Sequence, residues 1–296
     1  MKTPSVQTCK QIILVTLCLL ILIPVVCSVA LGVHAGRLRR ENETLRSTLS
    51  GRAQPEERPG AAAEPAAYQL LYPELYAASD RAGGQARSED TVYLTFDGGP
   101  SASTGQILDL LDQYGVKATF FVVGRTDEDS LAVLRDIVDR GHAIGLSSYS
   151  GEYQSIYSSV EAYLADFQKI YQTVLDATGV KPEIFRFPGG SVNAYNSGIY
   201  QELIAEMLRR GFVFFDWDVS GEDTRVESTG ADVSAAVLAG MEGKSRGIVM
   251  LHDSAGKQNV VDALPAVLEG LQNEGYGFQP LSASVLPVVF NYKSAP

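Results

Sequence analysis

Short apolar runs alternate with longer amphipathic segments along most of the chain, and this alternation restricts the fold more than any other feature. The apolar runs read as buried strands at 91–97, 117–124, 142–148, 183–190, 212–218, 247–253 and 277–282. The segments between them have helical spacing and cover 101–114, 131–140, 156–178, 195–211, 231–242 and 259–274. Because strands separated by helices pair in parallel, we predict an α/β fold with an open sheet or a barrel.

Polar residues stand at the ends of four of these apolar runs. They are Asp97, Arg186, Asp218 and His252. In parallel α/β folds, ligands bind at the carboxyl ends of the strands. The sequence therefore predicts a single site at that edge of the sheet.

The first 50 residues differ from the rest of the chain. Residues 11–33 carry no charge, and at about 1.5 Å per residue a helix of this length spans a bilayer core. We predict a cytoplasmic tail at 1–10, a single-pass membrane anchor at 11–33 and a C-terminal domain outside the cell membrane. A signal peptide cleaved after Ala30 or Ala35 is the alternative. The flanking basic residues are balanced, so charge does not set the orientation.

A short juxtamembrane helix is predicted at 34–50. Leu31, Leu38 and Leu45 have a seven-residue spacing, which is compatible with a weak dimer through a short coiled coil, but two heptads are too few for that assignment and a plain helix is the favoured interpretation. Residues 51–90 form a linker and lead-in, rich in Pro, Ala and Glu near its start. The part from Tyr68 to Asp80 regains aromatic residues and is expected to pack against the domain, which we place at 91–290.

Charge and cysteine content exclude several functions for that domain. The net charge of the chain is -11. Residues 1–50 contain six Lys and Arg and two Asp and Glu, which leaves -15 for the remainder. An acidic domain does not favour nucleic acid as a partner. The cysteines are Cys9, Cys18 and Cys27, so the domain has no disulfide or thiolate metal site.

Five motifs follow one another in the predicted domain. They are TFDGGP (95–100), GHAIGLSSYSG (141–151), RFPGG (186–190), WDVSGEDT (217–224) and VMLHD (249–253). In order and spacing they resemble the motifs of the NodB-type polysaccharide deacetylases, carbohydrate esterase family four. The resemblance covers about residues 91–285 and implies a distorted (β/α) barrel of about seven parallel strands. It also implies an N-acetylated cell-wall polysaccharide as the partner.

The family uses zinc or another divalent metal ion to activate the water that attacks an N-acetyl carbonyl. The family's ligands are an Asp in the first motif and two His in the second. The matching positions here are Gly98, Ser147 and Gly151. The resemblance therefore implies that no metal cofactor is held by these residues.

The other catalytic positions of the family are retained. Asp97 matches the base, Arg186 the residue that holds the base, Asp223 the residue that orients the acid, and His252 the acid. Each also has a structural interpretation. Asp97 and Arg186 are equally expected to form a buried ion pair, and His252 to be a core histidine paired with Asp223.

Several further residues are predicted to contact substrate. They are Pro188, Gly190, Trp217 and Met250. Trp217 also fits a place in the core. Thr224 stands where the family has a Trp that forms one wall of the acetyl pocket, so that wall is expected to be missing.

Aromatic residues cluster near the second motif. Tyr149, Tyr153 and Tyr157 are candidates for stacking on sugar rings, although packing within the loop is the more ordinary interpretation.

Two alternatives to the lost metal site are open. Asp97, Glu152, Asp218 and Asp253 are candidates for an oxygen-rich cation site, although their spacing does not favour it. His142 precedes a strand and is interpreted as structural.

Loss of the metal decides the predicted function. Without a metal ion, the pKa of water is not lowered towards ~7, and a carboxylate with a pKa near ~3.9 is a weak base for it. We predict a membrane-anchored pseudoenzyme that binds cell-wall glycan or an envelope partner. The alternatives are an active hydrolase that removes N-acetyl groups from peptidoglycan or another polysaccharide, and a purely structural envelope protein.

Overall fold

The computed structural model describes residues 65–77 and 90–290. The predicted anchor at 11–33, the juxtamembrane helix and its dimer lie outside these residues. Within the described ranges, no helix combines the length and apolar character that a membrane span requires.

Parallel strands form one sheet with helices between them, which confirms the predicted α/β class. The strands are β1 (Thr91–Asp97), β2 (Thr119–Val123), β3 (Ala143–Ser148), β4 (Ile184–Phe185), β5 (Val213–Phe214), β6 (Val219–Ser220), β7 (Arg246–His252) and β8 (Gly277–Phe278). Their order is β5-β4-β3-β2-β1-β7-β6, and β8 pairs with the start of β1. The register of β1 and β7 places Asp97 beside His252 at the carboxyl ends of the strands.

The helices lie where the amphipathic segments predicted them. They are α1 (Thr104–Gln113), α2 (Glu128–Asp139), α3 (Tyr153–Ile156), α4 (Val160–Thr178), α5 (Tyr200–Arg209), α6 (Gly230–Met241) and α7 (Gln258–Asn273). The helix predicted at 156–178 begins four residues later, as α4, and the short helix α3 comes just before it. The two helices are separated at Ser159, which has extended backbone and caps α4 by accepting a hydrogen bond from the Ala162 amide.

The sheet is curled into a half-barrel because its two edge strands are close in sequence. β5 and β6 are the edges, and only residues 215–218 connect them. A flat sheet would separate these edges by about 29 Å, since neighbouring strands are about 4.8 Å apart. The connection from Phe214 to Val219 spans at most about 18 Å. The prediction of a single strand at 212–218 is therefore wrong, since only Val213–Phe214 of this run form one edge strand and the other edge strand, Val219–Ser220, lies just beyond the run.

Side chains on the two faces of the sheet form two cores. One face packs against the helices, with Leu94, Phe96 and Phe120 fully or almost fully buried there. The alternate residues point into the half-barrel and form a second cluster, which includes Tyr93, Phe121, Phe215 and Ile248. Because this interior is filled by side chains, it leaves room for a ligand only at the strand ends.

The C-terminal segment of the described chain helps to fill the half-barrel. Leu281 and Val285 belong to the inner cluster. The Asp216 amide donates to the Val288 carbonyl over 2.9 Å, and the Phe290 amide donates to the Asp216 carboxylate over 2.7 Å. This segment therefore lies against the connection between the two edge strands.

The lead-in segment packs onto the end of α5, as predicted for the residues that follow Tyr68. Arg210 is fully buried, and its Nε donates to Glu206 over 2.7 Å. Its other nitrogens donate to the carbonyls of Tyr68, Leu71, Tyr72 and Leu75. A buried guanidinium requires such partners, so Arg210 fixes the lead-in to the domain.

Candidate active site

A cavity of about 340 Å³ opens at the carboxyl edge of the sheet. Eight of its lining residues were predicted from the motifs: Asp97, Gly98, Ser147, Gly151, Pro188, Trp217, Met250 and His252. They come from all five motifs, which lie far apart in sequence and meet here because parallel strands end at one edge. Arg186, Asp223 and Gly190 lie behind this lining.

Asp97 and Arg186 form an ion pair beside the cavity. Asp97 is the last residue of β1, and Arg186 follows β4 directly. The Arg186 Nη1 lies 2.7 Å from the Asp97 Oδ1, and the Arg186 side chain is 1% exposed. Removal of either partner from such a buried pair leaves an uncompensated charge, which is strongly destabilising.

Arg186 is held by more than the carboxylate. Its Nε donates to the Phe215 carbonyl over 2.8 Å and its Nη1 to the Thr95 hydroxyl over 2.7 Å. The guanidinium also lies 4.4 Å from the centre of the Phe121 ring and 5.5 Å from that of Trp217. Arg186 therefore joins strands β1 and β4 inside the half-barrel as well as orienting Asp97.

His252 and Asp223 form the second pair at the cavity. The His252 Nδ1 lies 3.0 Å from the Asp223 Oδ1, and the His252 amide donates to the same carboxylate over 3.1 Å. Lys257 donates to the Asp223 carbonyl over 2.7 Å. Since Asp223 occupies Nδ1, the other ring nitrogen of His252 remains available for a proton transfer or a hydrogen bond in the cavity.

The environment shifts the pKa of both groups that line the cavity. Burial raises the pKa of the Asp97 carboxyl, and the charges of Arg186 and His252 oppose this rise. Burial alone lowers the pKa of His252, but the hydrogen bond and charge of Asp223 outweigh it and raise the pKa. The paired geometry therefore favours a proton on His252.

The three positions that the sequence resemblance assigns to the family's metal ligands all line the same cavity. Gly98, Ser147 and Gly151 converge there although they lie on two different loops and strand ends. None of the three offers a carboxylate or an imidazole, and a serine hydroxyl is a poor substitute for the ligands that divalent transition metals prefer. The residues present at these positions therefore do not fit a catalytic metal ion.

The loop that carries two of these positions is tied to α4 by Asp166. This carboxylate accepts hydrogen bonds from the Ser148 hydroxyl and from the amides of Tyr149 and Ser150, over 2.6, 2.7 and 2.9 Å. The Gly151 amide in turn donates to the Ser148 hydroxyl over 2.9 Å. These hydrogen bonds therefore fix the conformation of the loop.

The alternative oxygen-rich cation site is not formed. The two Asp218 oxygens accept from the Ile248 amide and from Lys244, and Asp218 lies at the start of β6 rather than at a strand's carboxyl end. Asp253 accepts from the hydroxyls of Ser101 and Thr104. In residues 65–77 and 90–290, no three His, Cys, Asp or Glu side chains are grouped so that they could hold a metal ion.

The predicted substrate-contacting residues divide between two places. Pro188, Met250 and Trp217 line the cavity, and so does Thr224, where the family has its Trp. Gly190 does not line it. A Cβ on Gly190 would lie 2.4 Å from the Phe290 ring and 3.4 Å from Trp217, so this glycine allows close packing behind the wall.

His142 is structural, as predicted. It is 5% exposed, and its Nδ1 accepts the Ala118 amide over 3.1 Å at the amino ends of the strands. It therefore lies at the opposite end of the sheet from the cavity.

Four other lining residues were not among the site residues predicted from the sequence. Val123, Ser148, Gly189 and Ser254 line the cavity. Ser254 comes two residues after His252, and Val123 ends the strand beside β1. Position at a strand's carboxyl end was a usable signal for both. No comparable signal identifies Asp166, whose role depends on the packing of α4.

Comparison with known proteins agrees with this arrangement. Residues 84–208 match the family model described as polysaccharide deacetylase. YheN of Bacillus subtilis, whose name places it among polysaccharide deacetylases, is 33% identical over 214 residues, covering 69% of this chain and 71% of the relative. A peptidoglycan-N-acetylglucosamine deacetylase of Bacillus cereus is 29% identical over 206 residues, covering 68% of this chain and 72% of the relative.

A solved structure shows the same fold. The catalytic domain of a peptidoglycan N-acetylglucosamine deacetylase from Eubacterium rectale superposes with a TM-score of 0.68 at 32% identity, covering 72% of this chain and 98% of that one. The motifs, the half-barrel and these relatives lead to the same conclusion. The chain belongs to the polysaccharide deacetylase family.

Proposed function

We propose that this protein binds an N-acetylated cell-wall glycan in the cavity and does not deacetylate it by the metal-dependent route of its family. The relatives named above act, by their names, on peptidoglycan N-acetylglucosamine or on polysaccharide. The shared fold, together with a cavity at the carboxyl edge of the sheet in this chain, supports the same class of ligand here. The absence of metal-binding side chains at Gly98, Ser147 and Gly151 supports the loss of metal-dependent deacetylation.

One observation carries the proposal. The side of the cavity formed by Gly98, Ser147 and Gly151 has no ligand for a divalent metal ion, although all three residues face the same space. The loop around Gly151 is ordered instead by hydrogen bonds from Ser148 and Asp166. The site is therefore complete as a binding pocket and incomplete as a metal centre.

The remaining groups suit binding better than hydrolysis. Burial raises the pKa of Asp97, but its carboxylate is held by Arg186, and water that no metal ion activates is a poor proton donor to any carboxylate. His252 offers a ring nitrogen that can donate to a carbonyl oxygen of the ligand. Met250 and Trp217 supply apolar surface beside it.

An active hydrolase is the second candidate, and a specific observation favours it. Asp97 and His252 lie side by side in the register of β1 and β7, each with its supporting partner. A base and an acid in this position could act on a bound water without a metal ion, although the oxyanion stabilisation of a metal would be missing.

We also propose that the domain is held at the outer face of the cell membrane by residues 11–33. The uncharged length of that segment supports this part of the proposal. Protease treatment of intact cells would digest the domain in this topology and spare it in the reverse one.

The function is tested on the purified full chain with an N-acetylated β-linked tetrasaccharide. We expect saturable binding in calorimetry, less than stoichiometric metal by elemental analysis, and no acetate release above the buffer rate. Stoichiometric metal together with turnover would overturn the proposal.

Two variants separate the candidate functions. Asp97→Asn would abolish any metal-free hydrolysis that depends on this carboxylate. Asp218→Asn is the matched control, since Asp218 is a carboxylate that lies outside the cavity lining. Slow acetate release that survives in the control and is lost in Asp97→Asn would favour the hydrolase.

A further inference from the structure

Two tyrosine rings extend the cavity outward along its rim. Tyr153 lines the cavity and is half-buried. The Tyr195 ring lies edge-on to it, with the ring centres 5.4 Å apart and the ring planes at 89°. Tyr195 is 52% exposed. The pair therefore forms a step from the cavity to the surface, which we call the tyrosine ledge (Tyr153 and Tyr195).

The backbone under the ledge allows Tyr153 to lie close. Gly189 has a φ of +78°, and a Cβ at this position would lie 3.0 Å from the Tyr153 ring. A side chain on Gly189 would therefore press on the Tyr153 ring and move it by a few tenths of an ångström. The glycine keeps the first ring of the ledge against the cavity wall.

The loop that carries Tyr195 is fixed by Asn193. The Asn193 side-chain nitrogen donates to the carbonyls of Pro188 and Gly190, each over 3.1 Å. Its oxygen accepts the amide of Tyr195 over 2.8 Å. The exposed ring is thus presented on a backbone that is already ordered, so little conformational entropy is lost when a ligand contacts it.

We propose that the tyrosine ledge is a second sugar subsite, which stacks the pyranose ring next to the one held in the cavity. This inference rests on the proposed function and names an oligosaccharide, rather than a single sugar, as the ligand. Aromatic faces carry partial negative charge and attract the C–H groups on the face of a sugar ring. The two phenol hydroxyls can exchange hydrogen bonds with sugar hydroxyls.

The test measures, in the full chain, whether the effect of a Tyr195 substitution on affinity depends on the length of the oligosaccharide. Calorimetry is carried out with N-acetylglucosamine and with its β-linked tetrasaccharide. We expect Tyr195→Ala to weaken tetrasaccharide binding about three- to tenfold and to leave the affinity for the single sugar unchanged. Tyr195→Phe keeps the ring, so its affinity for the tetrasaccharide is expected to stay within about twofold of the original.

Two further variants make the result specific. Tyr195→Leu keeps apolar bulk without an aromatic face, and it is expected to weaken the tetrasaccharide as Tyr195→Ala does. Leu208→Ala is the matched surface control, because Leu208 is an exposed apolar residue of α5. Its effect on either ligand is expected to be nil.

Failure of the ledge and failure of the proposed function give different results. If the original chain binds the tetrasaccharide and Tyr195→Ala binds it equally well, the tyrosine ledge is not a sugar subsite and the proposed function stands. If Tyr195→Ala lowers the affinity for the single sugar and for the tetrasaccharide by the same factor, the subsite proposal is also overturned. If the original chain binds neither ligand, both proposals are overturned.

Discussion

The two walls of the cavity differ in how their residues are held. The charged wall consists of Asp97 and His252 with their partners Arg186 and Asp223, and each of these side chains is hydrogen-bonded inside the fold. The bare wall consists of Gly98, Ser147 and Gly151, which contribute backbone and one hydroxyl. The charged wall serves the stability of the domain as well as any chemistry, whereas no charged side chain contributes to the bare wall.

This difference explains why a retained catalytic-type residue is weaker evidence of activity than a lost ligand. Arg186 bridges two strands through the Phe215 carbonyl and the Thr95 hydroxyl, so the fold needs it whether or not a reaction occurs. At Gly151 an added Cβ would meet no atom within 4 Å, so only its φ of +71°, and no contact with another residue, favours a glycine there. Chemistry should therefore be inferred from the bare wall and stability from the charged wall.

The largest effect is expected on the charged wall. Arg186→Met leaves the Asp97 carboxylate without its buried partner, and we expect a loss of about 3–5 kcal/mol in the free energy of unfolding. Chemical denaturation of the full chain measures it. The double variant Arg186→Met with Asp97→Asn should recover part of the loss. A loss below about 1 kcal/mol would show that the charged wall is not structural.

Rebuilding the bare wall is expected to have the next largest effect. The triple variant Gly98→Asp, Ser147→His and Gly151→His restores the family's ligand types, and we expect it to bind zinc. Zinc at 100 times its dissociation constant should then raise the free energy of unfolding by about 2.7 kcal/mol. Unfolding with and without zinc measures this gain.

The triple variant without zinc should be less stable than the original chain. Gly98 and Gly151 have φ values of +99° and +71°, and a side chain at such a position costs about 1–2 kcal/mol. The control is the double variant that keeps Gly98, which should bind zinc more weakly. If zinc does not stabilise the triple variant, the three positions do not form one metal site.

The pH dependence of stability should show the charged wall separately. The folded-state pKa of His252 is raised above its unfolded value of about 6.5. Its contribution is therefore complete below pH ~6.5 and is lost as the pH rises through the raised pKa. We expect the free energy of unfolding to fall in that window, and His252→Gln to remove this fall.

His142 titrates in a different window. Burial lowers its pKa to about 4, so its contribution to stability is lost as the pH falls from about 6.5 towards that value. Denaturation measured from pH 4 to 9 separates the two histidines. The same decline above pH 6.5 in the His252→Gln variant would contradict the assignment.

The smallest effect is expected from a carboxylate outside both walls. Asp218 accepts the Ile248 amide over 2.7 Å at the start of β6, and Asp218→Asn should cost about 1 kcal/mol of stability. Its glycan affinity should stay within about twofold of the original. A tenfold change in that affinity would place Asp218 in the binding site.

The sequence was sufficient to predict the main elements and the meeting of the motifs. The apolar runs that became β1 and β7 were predicted to within one residue, because both are buried along their whole length. The edge strand β6 at Val219–Ser220 was not predicted, and the run predicted as one strand at 212–218 contains only β5. Its apolar pattern is continuous, and only the curl of the sheet separates Phe214 from Val219.

The site residues that lie at the ends of strands could be predicted from the sequence. Contacts that depend on how remote segments of the chain pack together could not. Asp97 and His252 meet because β1 and β7 are parallel neighbours. The contact of Phe290 with Trp217, whose ring centres are 4.8 Å apart, depends on the path of the C-terminal segment. The hydrogen bonds from the loop after β3 to Asp166 likewise depend on how α4 packs, which local pattern does not encode.

The central claim is that the cavity binds glycan without a metal ion, and Trp217 reports on it directly. Trp217 is the one tryptophan of the chain and lines the cavity. The decisive measurement is its fluorescence during titration with the N-acetylated tetrasaccharide, once in EDTA and once in zinc. The account predicts the same saturable change with the same dissociation constant in both. A change that occurs only in zinc would contradict it.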